Sequence, residues 1–422
     1  MSLTVEEIRA AIESLVAAGE NPTQVKVREK LGRGSYATIN KVLREWRQEK
    51  TSEPSAAGLA NQYSKSMDAN EILNLYAAGE RDFSEIDLSE VFLVEAVLPL
   101  INLSNADLRG ANLTKINLRA ANLKYANLSN ANLQGADLSG ADLTEAYLYD
   151  TDLTGAYLRG TRLTKAQLQG TKLLGTDLSG AYLDQAKLVN VDLSNANLTG
   201  VILTQANLQS ANLSGANLSR ADLSRSQMVG AILVGANLSY AKLDSTCIPC
   251  ANLSKANLSS TNLSHTNLQG ANLDEADLSG STLYATCFSN ASLQRAKLIN
   301  VMTTHPSYSQ VLLDKANLSG ADMSGARLPK ASFTQANLVE VNLAKANLTE
   351  SKLNQVNMSG AKLNGANLQK VDLTQATIMD ADLTGADLRW ANCDRTNFLG
   401  SNLQDVNFTG VINKASALPH DL

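Results

Sequence analysis

The stretch Ala121-Asn122-Leu123-Lys124-Tyr125-Ala126-Asn127-Leu128-Ser129-Asn130-Ala131-Asn132-Leu133-Gln134-Gly135-Ala136-Asp137-Leu138-Ser139-Gly140 decides the fold. Its beat is five, and that beat holds from Leu88 to Phe408 without a slip. The span contains 65 registers, of which 53 hold Leu, and Ala stands two positions earlier in 39 of them. Neither standard element explains the period. On an α-helix five residues advance about 500°, so successive leucines wander around the cylinder. On a flat strand an odd period throws them onto alternate faces. Each pentad therefore reads as one short extended side and a corner. The small residue and the Leu point inward, the Asn or Asp between them points out, and the last two residues turn the chain.

An A(D/N)LXX beat of this length resembles the pentapeptide-repeat family. The resemblance implies a right-handed quadrilateral parallel β-helix with four pentads per coil over residues 85–410. That gives about 16 coils and, at the usual strand spacing, a rod roughly 75–80 Å long. Ends of such a rod need covering, because a terminal coil offers unpaired backbone. Residues 67–84 read as an N-terminal capping helix, with Asp68 at its start and Gly79 at its stop. Phe92, Val94, Val97 and Leu100 sit at outward positions yet are apolar. They are expected to receive the capping helix, with an exposed partner site as the alternative. Trp390, Phe398 and Phe408 are expected to close the last coils or to form a two-fold contact between protomers, and residues 411–422 a polar tail. Dimerisation through that end follows from the resemblance. Residues 301–310 put Thr303 and Tyr308 where Leu belongs, with Pro306 between them. They read as a ten-residue loop extruded from a corner, or as two distorted pentads.

The first fifty residues have a different grammar. Thr4 and Glu7 form a capping box, with Leu3 and Ile8 placed as a hydrophobic staple. A second short helix can open at Asn21-Pro22 and carry Val27 and Leu31. Gly32-Arg33-Gly34 reads as a tight turn, and Ser35 caps a third helix that buries Ile39, Val42, Leu43 and Trp46. Three helices, the last two joined by a Gly-containing turn, make a small all-α helix-turn-helix unit. The run Gly34-Ser35-Tyr36-Ala37-Thr38 and its surroundings resemble the plasmid-replication-region DNA-binding domain of KfrA-type proteins. That resemblance implies double-stranded DNA binding through residues 1–50, with Arg33, Ser35, Thr38, Lys41 and Arg44 as contacts. This chain departs from those proteins in continuing as a rod instead of a coiled coil. A three-helix unit that docks protein is the alternative. Residues 51–66, which include Pro54 and Gly58, form a linker.

Charge sorts the function classes. Residues 26–50 carry a net of +5, residues 51–100 a net of −7, and residues 101–422 hold 25 groups of each sign. Some pentapeptide-repeat proteins imitate DNA and engage topoisomerases, which requires a strongly negative surface. A neutral rod argues against that reading, although one acidic face could hide in a neutral total. The remaining possibility is a scaffold with no DNA contact, and any protein partner along the rod is unspecified. The start Met1-Ser2-Leu3-Thr4-Val5-Glu6-Glu7 lacks the pattern of a secretory signal, and no stretch reads as a membrane span. A cytoplasmic location is expected. Cys247-Ile248-Pro249-Cys250 spells CxxC, but Cys287 lies two coils along the same column, ~9–10 Å from Cys247. That is too far for a disulfide or a shared zinc shell. No His accompanies a nucleophile and a carboxylate. The expectation is no enzyme, no cofactor and no metal.

Overall fold

The computed structural model describes residues 3–18, 22, 27, 30–32, 42, 45–46, 67–303 and 311–413. Two helices are delimited among them, α1 (Val5–Ala17) and α2 (Ala69–Ala77), and everything after α2 is solenoid. Parallel bridges link each pentad to the one twenty residues on, Asp82 to Asn102 to Asn122 and so forth, ending at Ile412. A step of twenty at a period of five means four pentads per coil, which makes the rod a quadrilateral parallel β-helix. The bridges define four faces, whose first outward residues are Asp82, Asp87, Phe92 and Val97. The ladder's last rung includes Val411 and Ile412, because the Ile412 N–H donates to Ala391 O at 2.9 Å.

The pentad is explained by asking where its five N–H groups go. Asn122 donates to Ile101 O of the coil before, Leu123 to Asp142 O of the coil after, and Tyr125 to Thr144 O. Ala126 closes an i to i+3 turn onto Leu123 O. The fourth donor, Lys124, has no backbone acceptor and instead finds Asn122 Oδ1 at 3.3 Å. The outward Asn or Asp is therefore a built-in cap for the residue two positions on. Sequence alone assigns it only to solvent; it is half-buried. Many of the amides also bond between coils, as Asn122 Nδ2 does to Asn102 Oδ1 at 2.8 Å. The exceptions are compensated. Ser292 cannot cap, so Gln294 N donates at 2.9 Å to Asp274 Oδ1 of the preceding coil.

From the second coil to the one before the last, the small residue and the Leu of each pentad are buried along one continuous core among the described residues. Thr at the small inward position satisfies its hydroxyl by reaching back to a Leu carbonyl, as Thr151 Oγ1 does to Leu128 O at 2.8 Å. The fifth residue of each pentad takes the left-handed conformation, with or without Gly: Lys115 has φ 54° and Tyr125 φ 59°. At Gly410 the absence of a side chain has its own reason, because a Cβ there would collide with the indole of Trp390.

Three expectations are corrected. Phe92, Val94, Val97 and Leu100 do not receive the capping helix. Helix α2 sits across the end of the first coil, burying Ile72 in the rod core and donating the Tyr76 hydroxyl to Pro99 O at 2.7 Å, and the four apolar side chains stay exposed. Trp390 does not close the core either; it lies at an outer corner under Arg389, while Phe398 is buried and meets Phe408 edge-on at 6.4 Å. Finally, residues 301–310 are neither one ten-residue loop nor two distorted pentads. Met302 remains in the ladder, bridged to Thr282 and Arg327, and the step from Cys287 to its neighbour Leu312 is 25 residues instead of 20. One pentad's length has been added to a single coil. Residues 304–310, with Pro306 and Tyr308, lie outside the described residues.

Candidate nucleic-acid interface

Helix α1 begins as its sequence dictates. Thr4 Oγ1 accepts from Glu7 N at 3.2 Å, and Glu7 Oε2 accepts in return from Thr4 N at 2.8 Å. Its apolar stripe, Ile8, Ala11, Ile12 and Leu15, packs with Val27, Val42 and Trp46, and Leu3 and Leu31 flank this core. Val27, Lys30 and Leu31 are helical, as are Val42, Glu45 and Trp46, and Gly32 has φ +66°. The core therefore joins three helical segments within 44 residues, from Leu3 to Trp46. The sequence-derived contacts Arg33, Ser35, Thr38, Lys41 and Arg44 lie outside the described residues, as do Ile39 and Leu43.

The rod can be tested directly for a hidden acidic face. Assigning residues 81–413 to the four bridged columns gives net charges of +1, −2, −3 and 0. The charges are also paired locally across coils, for example Lys124 with Asp142 at 3.2 Å, Lys172 with Asp152 at 3.6 Å and Arg295 with Glu275 at 2.7 Å. Such exposed pairs contribute little stability. Their effect is to cancel the field at short range, so no face presents the continuous negative potential that would compete for a basic groove.

The remaining chemistry is sparse. Cys247, Asn267 and Cys287 occupy successive rungs of one column, and all four cysteines are free. His265 stacks edge-on against Tyr284 at 5.0 Å. Among the described residues no group of three or more His, Cys, Asp and Glu is arranged to hold a metal, and no helix is long and apolar enough to cross a membrane. His305 and His420 lie outside the described residues. At the last coil Leu403, Val406, Phe408 and Val411 are only half-buried, whereas their counterparts in the body are fully enclosed.

Residues 4–72 match the plasmid replication region DNA-binding N-terminal family. Pentapeptide repeats match in successive stretches between residues 82 and 290, and a pentapeptide repeat region matches residues 326–408. Among solved structures, HetL, a pentapeptide repeat protein involved in heterocyst differentiation regulation from the cyanobacterium Nostoc sp. strain PCC 7120, is 35% identical, with 65% of this chain and 96% of that one covered and a TM-score of 0.26. Full-length QnrB1, a plasmid-mediated fluoroquinolone resistance protein, is 17% identical over 44% of this chain and 93% of its own, with a TM-score of 0.33. An uncharacterised 23.2 kDa protein from Shigella flexneri is 43% identical over 51 residues, 12% of this chain. The chain spans about a quarter of that relative's length, the covered share being 24%.

Proposed function

Because the chain belongs to the pentapeptide-repeat family, which matches residues 82–290 and 326–408, and matches a DNA-binding N-terminal family over residues 4–72, we propose that it is a non-enzymatic, cytoplasmic DNA-binding protein whose rod serves assembly and partner binding. The observation that carries this reading is the segregation of charge: +5 in residues 26–50 against four near-neutral rod faces. Nonspecific affinity for duplex DNA comes from phosphate neutralisation by Lys and Arg, and residues 26–50 carry more net positive charge than any 25-residue stretch elsewhere in the chain. Residues 1–50 are the helix-turn-helix unit, 51–66 the linker and 85–410 the working length of a right-handed coil. A third helix centred on Ile39, Val42, Leu43 and Trp46 turns Lys41 and Arg44 to the opposite side, since each residue advances 100°. Arg33, Ser35 and Thr38 lie at its entry and supply groove and phosphate contacts. The half-buried apolar side chains of the last coil support a second copy of the chain as partner there. DNA mimicry is disfavoured by the balanced faces.

The test is duplex binding by the full chain and by a chain lacking residues 1–50, across a salt series. Binding that weakens steeply with salt and vanishes on truncation supports the reading. Binding retained by the truncated rod, or topoisomerase inhibition by it, refutes it.

A further inference from the structure

Capping of the pentads is uneven along the rod. From Asn102 to Asp137 all eight outward residues are Asn or Asp, and each accepts from the N–H two positions on. The coil of residues 156–175 reverses this. Its outward residues are Tyr157, Arg162, Gln167 and Lys172, and the N–H groups of Arg159, Thr164, Gln169 and Leu174 have no acceptor among the described residues. No other four consecutive pentads among the described residues lack every cap. Elsewhere a missing cap is often made harmless. Pro99, Pro249 and Pro329 follow Val97, Cys247 and Arg327, whose side chains bring no oxygen, and Pro has no N–H to satisfy. Charge stands in at residues 156–175. Arg159, Arg162, Lys165 and Lys172 are the only charged residues from 153 to 176, five acids and no base fill 137–152, and Asp177 and Asp184 follow. Lys165 reaches Glu145 and Lys172 reaches Asp152 in the coil before, each at 3.6 Å, and Arg159 pairs with Asp177 in the coil after. The Arg162 guanidinium lies 5.9 Å from the Tyr182 ring.

We propose that the coil of residues 156–175 is a salt-sensitive joint, at which the rod opens first and parts into two folded blocks. The ladder itself is complete there, the Leu163 N–H donating to Tyr182 O at 2.6 Å and the Arg162 N–H to Ala141 O at 2.9 Å, so the joint is closed at rest. What it lacks is the neutral bond that every pentad of 101–140 adds. One such bond shifts an opening equilibrium roughly fivefold, and four are missing together. The ion pairs restore part of this, because exposed pairs are weak. They are also the part that salt removes, as the screening length falls from ~10 Å at 0.1 M to ~3 Å at 1 M. Each coil touches only its neighbours, so the blocks on either side keep their own ladders when the joint opens.

The full chain carries its own probe. The four bases of the joint are trypsin sites, and Lys115, Arg119 and Lys124 place three more in the capped coils. Within the rod, the first tryptic cuts are expected at Arg159, Arg162, Lys165 or Lys172. Relative to cuts at Lys115, Arg119 and Lys124, they should be a few-fold faster in about 1 M than in about 0.1 M NaCl. Amide exchange read by mass spectrometry should be at least about tenfold faster at Leu158, Leu163 and Leu168 than at Leu113, Leu118 and Leu123. Two substitutions in one column move the caps in opposite directions. Gln167→Asn gives Gln169 an acceptor without changing charge, and Asn127→Gln takes the acceptor from Ser129. Exchange should slow about fivefold at Leu168 in the first and quicken about fivefold at Leu128 in the second, with circular dichroism confirming that both fold. First cuts in the capped coils, equal exchange in the two sets of leucines, or no change in either variant overturns the joint. Opening at the joint at one rate in both salt concentrations overturns its salt sensitivity.

Discussion

Replacing Asn342 isolates what the outward polar residue contributes to the rod. Its Oδ1 accepts from Ala344 N at 3.1 Å, and its Nδ2 donates to Asp322 Oδ1 at 3.0 Å in the coil before. Asn342→Ala removes both and leaves the Ala344 N–H, flanked by a buried core, without a partner. Each lost bond is worth about 0.5–1.5 kcal/mol, so about 2 kcal/mol is expected in total. Asn342→Asp keeps the cap but exchanges the donor for a carboxylate against Asp322, so about 1 kcal/mol is expected at pH 7, from the one lost bond and the like-charge contact. Urea titration followed by circular dichroism gives the ordering Asn, Asp, Ala, and amide exchange should accelerate first at Ala344. Because each coil touches only its neighbours, the loss is expected to be local before it is global. A change below about 0.3 kcal/mol in Asn342→Ala would show that water replaces the cap at no cost.

Acidification should loosen the rod. Thr384, through its hydroxyl and then its N–H, lowers the Asp382 pKa, and the Arg389 guanidinium lowers that of Asp387, followed by opposing burial. Depressed folded values mean stability that is complete above the unfolded value near 4 and lost as pH falls through the folded one, so the melting temperature should drop as pH falls below about 4. Asp382→Asn should melt below the parent at pH 7 and lose less on acidification to pH 3, and equal acid sensitivity would count against this cause. Burial pushes the Cys393 thiol up to about 12, so a thiol reagent at pH 8 should label exposed Cys250 first and Cys393 only after denaturation; early mass-spectrometric labelling of Cys393 contradicts its enclosure. Deleting residues 304–308 returns the 25-residue step to 20, and a single cooperative melt close to the parent's is expected. Loss of the ladder would mean the added pentad is structural.

The rod was legible because its period is incompatible with helix and with flat strand, and because 65 registers repeat one inward pair. What stayed hidden has physical reasons. An inserted length of five leaves the phase of five untouched, so Met302 and Leu312 read in the sequence as two sides apart when the ladder makes them consecutive sides. The capping role of Asn122 is invisible without a count of backbone donors, since outward and polar reads equally as solvated. Phe92 and Val97 were assigned to a helix that covers the end of the coil instead of its sides, a choice that apolar character cannot make. In the leading unit the apolar spacing of Ile8, Ile12, Leu15, Val42 and Trp46 specified one small core, and the structure joins them. The contact residues were suggested by charge and resemblance alone, and they remain a proposal.

The most direct measurement is the salt dependence of duplex binding by the full chain with Lys41→Ala and with Arg44→Ala. Each substitution should weaken binding to all sequences alike and reduce the slope of log affinity against log salt by about one, while the melt of the rod is unchanged. An unaltered slope in both variants, with DNA still bound, would place the contacts elsewhere and contradict binding through the basic leading segment.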